Sequence, residues 1–150
     1  MDKRISELIS LHNQANCILI VSESINALDA QAEELFGVAN NSALLLGKEL
    51  SQQLLTEPIN KYATKTEAWL KEQLKEFSSE PIVCKDIDLL FEPEIGVDPL
   101  FLFKQAARQK KLVILWPGSF RDDTLYYASP DHSHYRSWPK PEIDFITIEG

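Results

Sequence analysis

An apolar stretch that ends in acids, Ile82-Val83-Cys84-Lys85-Asp86-Ile87-Asp88, carries residue types able to hold Mg²⁺ and steer a water molecule. One carboxylate at the end of a buried strand binds the ion through water, and a second nearby orients the attacking nucleophile. Acids at such positions are also commonly solvated or paired with a cation, and Lys85 is adjacent, though on the opposite face of a strand. The partner such a pair requires is a phosphate-binding loop after another strand. Cys17 to Ser22, followed by Glu23 to Asp29, has the strand, turn and helix start of that unit. Against the spacing G-x-x-x-x-G-K-[ST], however, Ser22, Ala27, Leu28 and Asp29 stand where two glycines, a lysine and a hydroxyl are required.

Glycines let backbone N–H groups close on phosphate oxygens, and the lysine neutralises their charge. Neither has a substitute here. Asn26, with Asp29 three residues on, reads as a helix cap that satisfies the donors a phosphate would use. Glu23 and Asp29 would also repel it: like charges about 4 Å apart cost roughly 4 kcal/mol at an effective dielectric near 20, about a thousandfold in affinity. The alternative is an ordinary capped strand-to-helix turn.

Three further groups have chemical potential. Lys104, Arg108, Lys110 and Lys111 gather positive charge at the end of a helix. That complements the helix dipole, and equally offers Arg108 as an arginine finger, or the patch as a contact for DNA or a partner. Asp131-His132-Ser133-His134 holds nitrogen and oxygen ligands, but two histidines in a loop with no third ligand fixed by spacing do not make a metal site. Tyr126, Tyr127, Tyr135, Arg136 and Trp138 are the types that anchor protein interfaces, or that pack a β-rich end onto a core. No Ser-His-Asp arrangement or nucleophile elbow is visible. Cys17 and Cys84 lie in apolar runs without C-x-x-C pairing and read as core thiols.

The elements that must position these residues follow from periodicity and punctuation. Asp2 to about His12 has helical spacing, and a strand, Cys17 to Val21, follows. A helix from Ala27 carries Leu28, Ala32 and Leu35 and stops at Gly37; Asn40 and Asn41 turn the chain. Ser42 to Leu46 reads as a strand, and Lys48 to Leu55 as a helix with Leu50, Leu54 and Leu55 inward and Pro58 after its end. Thr64 and Glu67 form a capping box for a helix to about Phe77. Ile82 to Ile87 is a third strand; Asp98 caps a helix with Pro99 in its first position; Leu112 to Trp116 is a fourth strand, broken at Pro117-Gly118-Ser119. Thr124 to Ala128 and Ile143 to Ile148 are further strands, separated by an irregular loop from Pro130 to Pro141. Such alternation predicts one α/β domain over 1–150, its mainly parallel sheet flanked by helices, with a β-rich C-terminal end.

Composition narrows the setting. A chain of 150 residues with 44% hydrophobic residues builds one core. A net charge of −8 disfavours nonspecific binding to a polyanion, so any DNA contact must be local. No apolar run approaches the roughly 20 residues that span a bilayer, and Met-Asp-Lys-Arg lacks a signal-peptide core; a cytoplasmic protein without a membrane partner is expected.

The runs Asp86-Ile87-Asp88-Leu89-Leu90-Phe91-Glu92-Pro93-Glu94, Asp98-Pro99-Leu100, Arg108, Trp116-Pro117-Gly118-Ser119 and Leu125-Tyr126-Tyr127-Ala128-Ser129-Pro130-Asp131-His132-Ser133-His134-Tyr135-Arg136 together resemble the BrxF family. Its members are small P-loop-type components of type 3 BREX anti-phage defence systems. The resemblance covers about Ile82 to Arg136. It implies a P-loop NTPase-like fold working beside a methyltransferase, a large ATPase, a phosphatase-like protein and a helicase. It implies Asp86 as the Walker B-like acid, Asp88 as its companion and Ser119 as a sensor-like residue. It supplies no phosphate loop, so the expectation is a non-hydrolysing adaptor or regulator that needs no cofactor. The alternatives are an ATP-binding or hydrolysing subunit using Mg-ATP, and a DNA-binding accessory. Homo-oligomerisation is compatible with each. Partner contacts are expected at Lys104, Arg108, Lys110, Lys111, Tyr127, His132, Tyr135 and Arg136.

Overall fold

The computed structural model describes residues 16–36, 43–78, 81–128 and 134–148, with 35 and 36 in backbone alone. The expected helix before Cys17, the stop at Gly37, the Asn40-Asn41 turn, the side chain of Leu35, and His132 lie outside the described residues.

The two most apolar runs form the centre of the sheet. β1 (Cys17–Ser22) and β4 (Leu112–Arg121) pair in parallel from Cys17 with Leu112 to Ser22 with Pro117. β3 (Ile82–Lys85) adds to the other edge of β4, and β2 (Ala43–Leu45) to β3; β7 (Asp144–Thr147) adds to the free edge of β1. The order is β2-β3-β4-β1-β7, with every pair along it parallel. β5 (Thr124–Tyr127) folds back antiparallel on the end of β4, and β6 (Arg136–Pro139) pairs with β5.

Strand alternation divides the core in two. Leu19, Val21, Cys84, Ile114 and Trp116 face α2 (Leu46–Leu54), α3 (Tyr62–Glu76), α4 (Pro99–Ala106) and the short 3₁₀ turns Asp88–Phe91 and Pro93–Ile95. Ile18, Ile20, Val83, Val113 and Leu115 face α1 (Ile25–Phe36) through Leu28 and Ala32. The architecture is therefore α/β, a mostly parallel sheet flanked by helices with extra C-terminal strands. Among the described residues no helix is long and apolar enough to cross a membrane.

Local details depart from the sequence reading where neighbouring structure overrides a cap or a turn signal. The cap of α1 is Ser24, whose Oγ accepts from Ala27 N–H at 3.1 Å; Asn26 lies one residue inside the helix. α2 begins at Leu46, and Leu55, just past its end, is 79% exposed. α3 begins at Tyr62, entered from a 3₁₀ turn at Ile59–Lys61, so Thr64 and Glu67 lie within the helix and form no capping box. Strand β3 stops at Lys85, because Asp86 takes φ 57° and turns the chain. Pro117-Gly118-Ser119 is no break: β4 runs through it, exchanging its parallel partner β1 for the antiparallel β5. Within the expected irregular loop, Arg136–Pro139 is a strand; among the described residues it pairs with β5 alone, and Pro139 is tolerated at that edge.

Cys17 and Cys84 are buried free thiols. Burial pushes both upward, Cys17 to about 12 and Cys84 further, so neither is poised as a nucleophile.

Candidate functional site

Ligands of open parallel sheets bind beyond the carboxyl ends of the strands, where successive connections leave on opposite faces. Here α1 leaves β1 on one face, while the segment after β3 leaves on the other. Between them opens a cleft of about 340 Å³, lined by Glu23 and Ile25 after β1, Pro117 and Gly118 of β4, Asp88 after β3, and Tyr127 and Ala128 of β5. It is the position the sequence reading weighed for chemistry.

The turn at its base is too short to wrap a phosphate. Only Glu23 and Ser24 separate β1 from α1, whereas the phosphate-loop spacing needs four residues between its glycines. Ile25 and Asn26 are already helical, and so are Ala27, Leu28 and Asp29. Ser22 is buried; its Oγ accepts from Ser24 N–H at 3.1 Å, as Ser24 Oγ does from Ala27 N–H, so side chains occupy donors that would face an anion. Leu28, at the lysine position, is buried among Ile18, Ile20 and Val113 and does not line the cleft. Asp29 lies 3.8 Å from Lys85 Nζ, an exposed and weak ion pair. Among the described residues, the charged groups lining the cleft are Glu23 and Asp88, both acidic.

The two acids of the Asp86-Ile87-Asp88 run point to different neighbours. With φ 57°, a conformation Asp tolerates better than most residues, Asp86 leans toward the β2 side: its Oδ2 lies 2.5 Å from where a Cβ on Gly47 would stand, in the first turn of α2. β1 lies two strands away in the opposite direction. Asp88, and not Asp86, lines the cleft.

Asp88 accepts a 2.5 Å hydrogen bond from Tyr127 Oη. Burial, and then the adjacent Asp88 carboxylate, raise the Tyr127 phenol well above its usual range, so it remains the donor. The Tyr127 ring stacks on Phe91 at 3.6 Å and 6°, and Phe91 meets Trp116 edge-on at 5.1 Å. Trp116 Nε1 donates to the Tyr126 carbonyl at 3.0 Å. Gly118 is required by the same approach, since a Cβ there would lie 1.9 Å from the Tyr126 carbonyl oxygen. Trp138 Nε1 donates to Asp98 Oδ1 at 3.1 Å, the oxygen that also caps α4 through Phe101 N–H at 3.2 Å. Arg136 donates to the Val97 carbonyl at 3.4 Å, its guanidinium 5.2 Å from the Trp138 ring centre. Asp88, Tyr127, Trp138, Asp98 and Arg136 thus belong to one connected clamp, joined through Phe91, that docks the β5–β6 hairpin beside the cleft, while Asp86 stands outside it.

Other candidates fall elsewhere. Ser119 is on β4 opposite Tyr126 of β5, its Oγ accepting from Arg121 Nη1 at 3.2 Å, and does not line the cleft. Tyr127 is 3% exposed and fills the core instead of facing a partner. Tyr135 stacks on Tyr126 at 5.8 Å, and Arg121 lies 4.2 Å over that ring. Lys104 Nζ donates to the Pro141 carbonyl at 2.5 Å and Lys110 Nζ to that of Phe77 at 2.9 Å, so both hold the fold together. Lys111 lies just before β4, its carbonyl accepting from Ile82 N–H at 2.9 Å. Lys104 and Arg108 flank Cys17 and Asp144, at the amino ends of β1 and β7, the far end of the sheet from the cleft. No group of three His, Cys, Asp or Glu side chains able to hold a metal occurs among the described residues.

The segments after strands one, three and four, Ser22 to Asn26, Asp86 with Asp88, and Trp116 to Ser119, supply Glu23, Ile25, Asp88, Pro117 and Gly118 of the cleft; sequence reasoning missed the contribution of β5 through Tyr127 and Ala128, which the antiparallel return onto β4 brings there. Comparison with protein-family models, with curated proteins and with solved structures gave no match to this chain.

Proposed function

We propose that the chain is a P-loop NTPase-like frame whose phosphate site is closed, acting as a non-hydrolysing adaptor or regulator in a BREX-type anti-phage complex. The observation that carries the frame is strand order. Numbering only the parallel strands along the chain, the sheet reads 2-3-4-1-5. This differs from the 3-2-1-4-5-6 and 2-1-3-4-5 orders of the dinucleotide-binding and flavodoxin-like sheets. β4 stands between β1, whose end holds the phosphate-loop position, and β3, whose end leads into the acidic run, and this placement of both at the carboxyl edge of one parallel sheet supports the P-loop-type reading.

Loss of hydrolysis is supported by the two-residue turn at Glu23-Ser24, the buried Leu28 and the acidic lining of the cleft. The defence setting rests on the resemblance of Ile82 to Arg136 to the BrxF family. The described clamp gives those residues a common purpose, holding the hairpin at the cleft. The test is co-purification of tagged chain from cells expressing a type 3 BREX operon. The reading expects stoichiometric recovery with the large ATPase, phosphatase-like protein, methyltransferase or helicase, unaffected by ATP depletion. Recovery of the chain alone contradicts it.

A further inference from the structure

A concavity larger than the cleft lies away from the nucleotide position, between α3 and α4, with a volume of about 890 Å³. Two turns of an α-helix about 10 Å across occupy roughly the same volume, so the groove admits the facing half of about four. Its floor is apolar, from Val97, Phe101, Leu102 and Ala106, and Phe101 is 60% exposed. A large aromatic left that open on a helix bordering a groove is the residue type that anchors protein interfaces.

Charge gives the groove a direction. α3 precedes β3 and α4 precedes β4, and both strands run parallel. The two helices therefore run the same way. Contacts at both ends agree: a Cβ on Gly96 would meet the Ala63 Cβ at 3.7 Å near the start of each helix, while Gln109 Nε2 donates to the Lys71 carbonyl at 3.2 Å and Lys110 to Phe77 near their ends. Glu67 and Asp98 consequently share one end, and Lys71, Lys75 and Arg108 the other. Asp98 already binds Phe101 N–H and Trp138, while among the described residues Lys75 makes an exposed 3.2 Å pair with Glu72 that holds it weakly, so the basic end keeps charge to offer. On a chain of net charge −8, a local basic rim beside an apolar floor selects its partner.

We infer that this groove docks an amphipathic helix of a partner protein, its apolar stripe on Phe101 and Leu102 and its acidic residues against Lys71, Lys75 and Arg108. The inference deepens the adaptor reading, and rests on it in taking the occupant to be another protein.

The test is selection from a display library of amphipathic helical peptides against the full chain, then fluorescence anisotropy with the enriched peptides. Enrichment of apolar residues at i and i+4 with Asp or Glu toward one end is expected. Phe101→Ala should weaken those peptides by about tenfold or more, and Lys75→Glu with Arg108→Glu should invert the preference toward Lys-bearing peptides. Phe101, Lys75 and Arg108 are exposed, so circular dichroism should show each variant folded. No enrichment, enriched peptides without acidic residues, or binding indifferent to Phe101→Ala would each overturn the inference. So would light scattering that finds a dimer dissolved by Phe101→Ala, which would assign the groove to a second copy of this chain. Failure here with intact co-purification would move the partner to another surface; loss of co-purification with intact peptide binding would overturn the defence setting instead.

Discussion

Removing one oxygen from Tyr127 separates the two things that hold the hairpin at the cleft. Tyr127→Phe deletes the 2.5 Å donor to Asp88 and keeps the ring that stacks on Phe91 at 3.6 Å. A hydrogen bond to a charged group contributes about 1.5–3 kcal/mol. Asp88 is exposed and water can replace the phenol, so the expected loss is about 1–2 kcal/mol. In an Asp88→Ala background the same change should cost close to nothing, giving a coupling energy of about 1–2 kcal/mol. Tyr127→Ala also loses the stack and opens the core, and should cost about 3–5 kcal/mol. Urea denaturation followed by tryptophan fluorescence reads each value, since Trp116 and Trp138 adjoin Phe91.

The pH dependence gives an independent check. Folding raises the Tyr127 phenol above its ordinary value near 10. Below that value both states carry the proton and the contribution is complete. As pH rises through it, the unfolded chain loses the proton first, the folded state binds more protons, and stability falls. Wild type should therefore lose stability above about pH 10 more steeply than Tyr127→Phe. At about pH 11 their folded tyrosinate absorbance should match, differing by one tyrosinate only after unfolding. Equal stability of wild type and Tyr127→Phe with zero coupling, or a folded spectrum in which Tyr127 ionises at its ordinary value, would refute the clamp.

Other consequences are simpler to read. Gly118→Ala forces a Cβ to within 1.9 Å of the Tyr126 carbonyl oxygen and should cost about 3 kcal/mol in urea denaturation, the upper end for overpacking, because backbone cannot easily yield. Asp98→Ala removes both the α4 cap and the acceptor for Trp138; about 2 kcal/mol should be lost, with a shift in tryptophan emission. The thiols of Cys17 and Cys84 should react with a chromogenic disulfide only as fast as the chain unfolds, being buried and held protonated; rapid reaction of either in the folded protein would contradict the packing.

The parts of this fold legible in sequence were those decided by burial or by immediate neighbours. β1 and the first half of β4 are continuous apolar runs because both faces are covered, and Asp98-Pro99 is a cap completed within four residues. What escaped was decided at a distance. Pro117 reads as a strand breaker until Ser22 and then the hairpin supply partners on either side of it. Arg136–Pro139 carries no strand pattern of its own and is a strand because β5 offers an edge. In the acidic run, alternation predicts Asp86 and Asp88 on one face, but the left-handed turn at Asp86 sends the first toward Gly47 and brings the second to Tyr127. At the turn after β1, residue identities showed that the glycines, lysine and hydroxyl of a phosphate loop are absent. Its two-residue length, which follows from Ser24 capping the helix early, was not visible in the spacing alone.

The central claim, a nucleotide-binding frame with its phosphate site closed, is tested most directly by equilibrium titration of labelled ATP with Mg²⁺ into the purified chain. The account predicts no saturation up to about millimolar ATP and no change on Asp86→Ala or Asp88→Ala. Saturable submicromolar binding that weakens in either variant would contradict it.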